Sequence, residues 1–295
     1  MDGVLLLDKP AGITSHRAVQ TARRLLGAAR AGHTGTLDPL ATGLLPVCLG
    51  EATKFSHWLL DAEKSYRATV RLGTTTTTGD LEGEVTGRSP VTVERSRIEP
   101  VLARFRGEIL QTPPMYSAIK VDGKPLYQHA RAGREMPRAA RRVTIRSLCL
   151  VNFADGELTL QVICSKGTYI RVLAEDIGRE LGCGACLAAL RREGVGTFRL
   201  EGAVSLEQLG AMAPADRRAP VLPTDSLVAS LPRLDLDEGE ARRLSLGQTV
   251  ERPGEAASGL ARVYAPGPEF LGIAEVTVPG RIVARRLKSQ LPAAG

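Results

Sequence analysis

Residues 32–46 read GHTGTLDPLATGLLP and hold a single carboxylate, Asp38, among glycines, threonines and apolar side chains. The Asp38-Pro39 dipeptide by itself marks an Asx turn, because proline keeps the residue before it out of the helical region. The surroundings point further. Gly32, Gly35 and Gly43 allow close approach of backbone to a bulky ligand, and the threonines add hydroxyls without charge. A carboxylate in a loop this poor in other charged groups suits a nucleophile or a proton acceptor acting on an enclosed substrate. Glycoside hydrolysis would need a second acid, and none stands near it in the sequence. The stretch itself reads as a loop.

The whole chain sets the bounds. Its 295 residues, 43% hydrophobic, suffice for one sizeable core and a small second domain. Lysine and arginine number 39 against 32 acids, a net charge of +7 that favours an anionic partner such as nucleic acid. Met1-Asp2-Gly3 precedes only four apolar residues, so a secretory signal is not expected, and no apolar run approaches a bilayer span. A cytoplasmic protein with no membrane association is the expectation. Five cysteines do not form a disulfide framework. The Cys183-x-x-Cys186 pair has no second pair to complete a zinc site, and two small residues packed beside a helix end is the favoured reading.

Outward from the Asp38 loop, residues 4–7 read as a short strand and 8–12 as a turn. Thr14 or Ser15 can cap a helix with Val19, Ala22 and Leu26 on one face and Gly27 as its stop. Residues 64–72 alternate strictly, with Tyr66, Ala68, Val70 and Leu72 on one face and Arg67, Thr69 and Arg71 on the other. A threonine run and Gly79-Asp80 end that strand. Leu158, Leu160, Val162 and Cys164 alternate likewise. After the turn Ser165-Lys166-Gly167 comes a helix burying Ile170, Leu173, Ile177 and Leu181, with Gly182 past its end. Arg171 falls in its first turn, where a cation is slightly unfavourable; it is either a surface charge or the partner of an anion.

Residues 114–142 carry Lys120, Lys124, Arg131, Arg134, Arg138, Arg141 and Arg142 against two acids, Asp122 and Glu135, with Tyr116 and Tyr127 interleaved. Such a segment can hold a phosphate backbone while a ring stacks on a base, or can be a solvated excursion. Residues 212–232, with four prolines, read as a linker. Short β-like runs at 260–264, 270–276 and 281–284 then suggest a small β-rich barrel, and the last few residues are expected to be disordered. No internal repeat, Walker motif or dinucleotide-binding fingerprint is present.

GHTGTLDPLATGLLP closely resembles the catalytic motif of the TruB family, bacterial tRNA pseudouridine synthases that isomerise uridine 55 in the T loop. The resemblance extends in order and spacing through LLLDKPAGITSH at 5–16, KSYRATVRLG at 64–73, QTPPMYSAIKVDGKPLYQHAR at 111–131, SKGTYIRVLAEDIG at 165–178 and LAALRREGVGTF at 187–198. It implies an α+β fold: a mixed, mainly antiparallel central sheet with flanking helices, plus a small C-terminal β-rich domain related to the PUA fold. The implied division is a catalytic domain over 1–211, a linker over 212–232 and an RNA-binding domain over 233–295.

By the same resemblance Asp38 is the catalytic aspartate, Arg171 the arginine that pairs with it and orients it, and Tyr66 the tyrosine beside the target base. Pattern alone makes Tyr66 an ordinary core residue. With the resemblance, stacking on uracil comes first and help with C5 proton removal second, since a free phenol with a pKa of about 10 is a poor base. His33 matches the histidine that supports the extruded nucleotide. Lys9 is counted with the substrate-binding residues, as a structural or phosphate-facing group, and Tyr169 and Leu190 match pocket-lining positions. The 114–142 segment corresponds to a mobile flap that closes on the T-stem loop. One departure stands out: Cys186 lies where histidine is common.

The implied reaction breaks an N-glycosidic bond, turns the base and joins it through C5. Nothing is oxidised or hydrolysed, so no metal or cofactor is expected, and exclusion of water is part of the task. Asp38 can attack C1′, remove the C2′ proton to give a glycal, or add to C6 of the base. The expected partner is tRNA, bound by a monomer that needs no protein partner. Two other readings stand beside this one: a tRNA-binding folding chaperone with incidental catalysis, and the archaeal and eukaryotic relative that works with guide RNA.

Overall fold

The structure, a computed structural model, describes residues 1–253, 258–277 and 280–289. The chain enters on β1 (Gly3–Lys9), passes through α1 (Ser15–Leu25) and turns back on β2 (Ala31–His33) and β3 (Thr42–Leu49). After α2 (Ser56–Leu60) come β4 (Lys64–Leu72), the hairpin β5 (Thr74–Thr76) and β6 (Val85–Arg88), and α3 (Arg95–Ala103). From β7 (Gly107–Gln111) the chain makes an excursion through β8 (Lys120–Val121), β9 (Lys124–Pro125) and α4 (Leu126–Arg131) before returning on β10 (Arg141–Ala154). β11 (Glu157–Cys164), α5 (Ile170–Leu181) and β12 (Ala185–Val195) follow. Shorter pieces succeed them: β13 (Phe198–Arg199), β14 (Val204–Ser205), α6 (Leu206–Ala211) and β15 (Val221–Leu222). The C-terminal part holds β16 (Arg233–Asp235), α7 (Glu238–Ser245), β17 (Val250–Glu251), β18 (Gly259–Tyr264), β19 (Phe270–Thr277) and β20 (Arg281–Leu287).

The large sheet runs β14-β1-β3-β12-β4-β11-β10-β7. Its ladders are antiparallel except at β1–β14 and β3–β12, so the fold is α+β with a mixed, mainly antiparallel sheet. Alternation in β4 has the expected result: Tyr66, Ala68, Val70 and Leu72 are buried while Arg67 and Arg71 are exposed. Thr14 caps α1 by accepting from the Arg17 N–H at 3.1 Å, replacing one of the amide partners a helix start lacks. Gly182 ends α5 in the left-handed region at φ 85°, which costs little only for glycine. The main core joins α1, α3 and α5 to one face of this sheet through Val19, Ile98, Leu173 and Ile177 against Leu5, Val70 and Leu160.

Four expectations are revised. The opening stretch is a loop only over 34–41, because Gly32 and His33 pair with β3 and Thr42 onward is strand. The 212–232 stretch is no free tether: β15 pairs with β1, and Leu227 and Val228 are buried in a second core with Val4, Phe55 and Phe270. Arg141 and Arg142 belong to β10, paired with Gln111 and Leu110, so the excursion between β7 and β10 closes before them. The C-terminal strands form a five-stranded sheet, β16-β18-β19-β20-β17, with no ladder between its end strands among the described residues. Residues 290–295, expected to be disordered, lie outside the described residues. Cys183 and Cys186 are both buried, and no group of three or more metal-ligating side chains occurs among the described residues. Among those residues no helix is long and apolar enough to cross a membrane.

Candidate active site

The loop bearing Asp38 is tied down from both sides. Ser15 Oγ donates to Leu37 O and accepts from Leu37 N–H, each at 2.8 Å. Lys9 is fully buried, and its ammonium donates to Pro10 O and Ile13 O at 2.8 Å and to Pro39 O at 3.3 Å. With no free surface, Lys9 anchors the loop and cannot meet substrate, which corrects its placement among the substrate-binding residues. Burial pulls its pKa down to about 8. At the loop's far end Gly43 has φ 99°, and a Cβ there would lie 2.3 Å from Arg192 O. Only glycine lets β3 come this close to β12.

Arg171 is not a surface charge. Its side chain is 4% exposed, against 38% for Asp38. Nε donates to Asp38 Oδ2 at 2.9 Å, Nη1 to Thr78 O at 2.7 Å and Nη2 to Tyr116 O at 2.8 Å. A second carboxylate, Asp80, lies 3.4 Å from Nε with its side chain 5% exposed. Asp80 is held in turn by Thr78 Oγ1 at 2.5 Å and by the Glu82 N–H at 3.1 Å. One guanidinium therefore ties the Asp38 loop to the threonine hairpin and to the start of the 114–142 excursion. Among the described residues the other oxygen of Asp38 has no hydrogen-bond partner and is free to act.

Beside this network opens a cavity of about 260 Å³ lined by Asp38, Tyr66, Tyr169, Arg171, Leu190 and Arg192, with Lys64 and Ser117 at its edges. That volume suits one nucleobase with part of its sugar. Burial pushes the Tyr66 phenol up, and the positive charge of the nearby Arg192 guanidinium pulls it part of the way back. Tyr66 is therefore neutral at pH 7. Lys64 donates to Leu60 O and Ala62 O, both at 2.6 Å, and burial lowers its pKa to about 8. Tyr169 is fixed by Gln111, whose side-chain oxygen accepts from the Tyr169 N–H at 2.7 Å and whose amide donates to Tyr169 O at 3.0 Å. Arg141 stacks over the Tyr169 ring, 5.1 Å from its centroid.

The fold thus gathers Asp38, Tyr66, Tyr169, Arg171 and Leu190 around one cavity. His33 stands apart at the end of β2, accepting from the Gly35 N–H at 3.4 Å, and burial lowers its pKa. In the basic segment Lys120, Lys124 and Arg131 are exposed, and Arg131 covers the Tyr127 ring. Arg138 donates to Pro113 O at 3.1 Å across the neck of the excursion, Arg141 to Gly167 O, and Arg142 pairs with Glu108. Sequence reasoning missed Asp80, Lys64, Ser117 and Arg192. The one available signal for Asp80 was its position after a threonine run, which reads equally well as a turn.

Comparison with known proteins gives the family. The model of the TruB family pseudouridylate synthase N-terminal domain matches residues 23–170, and two TruB C-terminal domain models match 171–229 and 232–287. The chain belongs to the TruB family of pseudouridylate synthases. It is 55% identical over 290 residues to the tRNA pseudouridine synthase B of Methylobacillus flagellatus, covering 98% of this chain and 96% of that protein. To the protein of the same name from Azoarcus sp. it is 56% identical over 275 residues, covering 93% and 91%. Among solved structures, the crystal structure of a Cbf5-Nop10-Gar1 complex matches with TM-score 0.72 and 26% identity, covering 97% of this chain and 84% of that one. The chain is an isomerase of this family, and its fold is the pseudouridine synthase fold with a C-terminal β-rich domain.

Proposed function

We propose that this enzyme converts uridine 55 in the T loop of tRNA to pseudouridine, with Asp38 acting on the sugar of an extruded nucleotide. The observation that carries the reading is the pairing of a half-exposed Asp38 with a buried Arg171 at the mouth of a nucleobase-sized cavity. Arg171 aims the carboxylate while one oxygen remains available, as a reaction at C1′ or C2′ requires. Tyr66 and Leu190 offer apolar surface to the base. Taking uridine out of its stack costs a few kcal/mol, which phosphate contacts from the basic segment offset.

In this reading residues 1–211 carry the chemistry and 233–295 hold RNA away from the target loop, joined by the packed 212–232 stretch. The 114–142 segment covers the T-stem loop, and Tyr116 O links that cover to Arg171. The reaction moves one bond from N1 to C5, loses a proton at C5 and gains one at N1, so it needs neither metal nor redox cofactor. The enzyme acts in the cytoplasm on tRNA as a monomer.

Tritium release from a T-arm stem-loop carrying 5-tritiated uridine tests the assignment, with wild type beside Asp38→Asn. Release by wild type alone is expected. If neither protein releases tritium while both bind tightly, binding without catalysis is the function; release by both removes Asp38 from the chemistry. Deuterium at C2′ then tests the glycal route, since a primary isotope effect marks proton abstraction and its absence leaves attack at C1′ or addition to C6 of the base.

A further inference from the structure

Arg192 is 1% exposed and is among the largest fully buried side chains, yet the reaction as outlined gives it nothing to do. Its Nε donates to Leu44 O at 2.7 Å, Nη2 to Gly35 O at 3.0 Å and Nη1 to Thr36 O at 3.5 Å. All three acceptors are neutral carbonyls of the segment that contains Asp38. Two other arginines nearby differ. Arg171 has two carboxylates, Asp38 and Asp80, and Arg191 has Asp8. Among the described residues no carboxylate lies within ion-pair distance of Arg192. An unpaired charge in such a place costs several kcal/mol, and the carbonyls offset only part of it.

The charged groups around the cavity consequently fall into two sets of opposite net charge. Asp38, Arg171 and Asp80, joined by ion pairs, sum to a single negative charge. The other set is Arg192 and Lys64, which line the cavity with no counter-ion among the described residues, and Arg192 is the register partner of Tyr66 in the β12–β4 ladder. Heterolysis of the C1′–N1 bond leaves its electron pair on N1, spread over the ring oxygens, and leaves C1′ electron-poor. A negative set that includes Asp38, the group acting on the sugar, and a positive set that includes the strand neighbour of Tyr66, which meets the base, match that separation, and fixed charge aimed at developing charge is where an enzyme gains most.

We propose that Arg192 is a positioning residue for this reaction: it sets an uncompensated positive charge beside Tyr66, where the uracil ring becomes anionic, and so turns the Tyr66 hydroxyl toward that ring as a donor. The C1′–N1 electron pair stays with the ring until C5 bonds to C1′; the C5 proton then leaves and N1 takes one up, so no other reactant is consumed. This inference deepens the proposed uridine isomerisation and rests on it.

The test compares single-turnover consumption of the target nucleoside in T-arm RNA carrying uridine or 5-fluorouridine, whose ring anion the fluorine already stabilises. Wild-type turnover of uridine checks the parent reading separately. Arg192→Gln should slow uridine about 100-fold but 5-fluorouridine only about tenfold, and Arg192→Lys, which keeps the charge, should leave the ratio of the two rates near wild type. Tyr66→Phe, which keeps the ring and the fold, should shift the ratio in the same direction as Arg192→Gln, and it carries the test alone if Arg192→Gln does not fold. Equal proportional losses on both substrates in whichever of these two variants is folded would overturn the proposal, since a packing defect cannot discriminate between leaving groups.

Discussion

Asp80→Asn perturbs the active site while leaving the volume of the side chain almost unchanged. In the wild type Asp80 Oδ1 accepts from Thr78 Oγ1 and the Glu82 N–H, while Oδ2 faces Arg171 Nε at 3.4 Å. An asparagine that keeps the first two partners must turn its NH₂ toward the guanidinium, donor against donor. Both side chains of the pair are at most 5% exposed, so solvent screens little of the loss. Breaking a buried pair by removing one charge typically costs ~3–5 kcal/mol, and the lower end applies because Arg171 retains Asp38 and two carbonyls. A loss of ~3 kcal/mol lowers Tm by roughly 6–10 °C for a chain of this size. Realised in the barrier, it slows turnover ~100-fold. RNA affinity should hold, because Asp80 is buried and presents almost no surface to a ligand. Single-turnover tritium release with filter binding reads both quantities. A rate within threefold of wild type would show that Arg171 needs no second carboxylate to aim Asp38, and would refute the coupling of the two aspartates through one guanidinium.

Lys64→Met tests the buried lysine through pH. Burial lowers the folded-state pKa of Lys64 from 10.5 to about 8, so the penalty for its charge is full below pH 8 and is relieved as pH rises toward 10.5, where the folded chain releases its proton before the unfolded one. Wild type should therefore gain on Lys64→Met by ~1–2 kcal/mol between pH 7 and 9.5. Lys9 cancels in that difference of melting temperatures, and a gap that stays constant or moves the other way contradicts the assignment. Gly43→Ala places a Cβ 2.3 Å from Arg192 O at a φ of 99°, and should destabilise the fold by ~3 kcal/mol or more; a melt within a degree of wild type would mean that β3 and β12 separate freely. Neutralising Arg138, Arg141 and Arg142 together should weaken RNA binding and reduce the slope of log K against log salt by ~0.7–0.9 for each phosphate that is no longer neutralised. An unchanged slope would assign these arginines to their Pro113, Gly167 and Glu108 partners alone.

Much of this protein can be read without a structure, for a physical reason. Alternation over 64–72 and 158–164 and the threefold-fourfold spacing of Ile170, Leu173, Ile177 and Leu181 are local signals. They report which backbone conformation buries one face, and the elements form as those signals direct. The Asp38 motif was legible through its resemblance to the TruB catalytic motif, since the Asp38-Pro39 dipeptide alone marks only an Asx turn. What faced those surfaces was not legible. The pattern put Tyr66 on an apolar face but could not say that Arg192 would be its partner on the next strand, and Arg171 in a first helical turn could equally have met water.

Asp80 looked like the end of a strand, Lys9 like a candidate for phosphate, and 212–232 like a tether. Each reading changed when a distant segment arrived: Arg171 beside Asp80, three loop carbonyls around Lys9, β1 along β15. Conformation and face follow from neighbours in the chain. The charge that a buried group meets, and whether a buried cation has a counter-ion at all, depends on residues brought together across the sheet, and only the folded chain decides it.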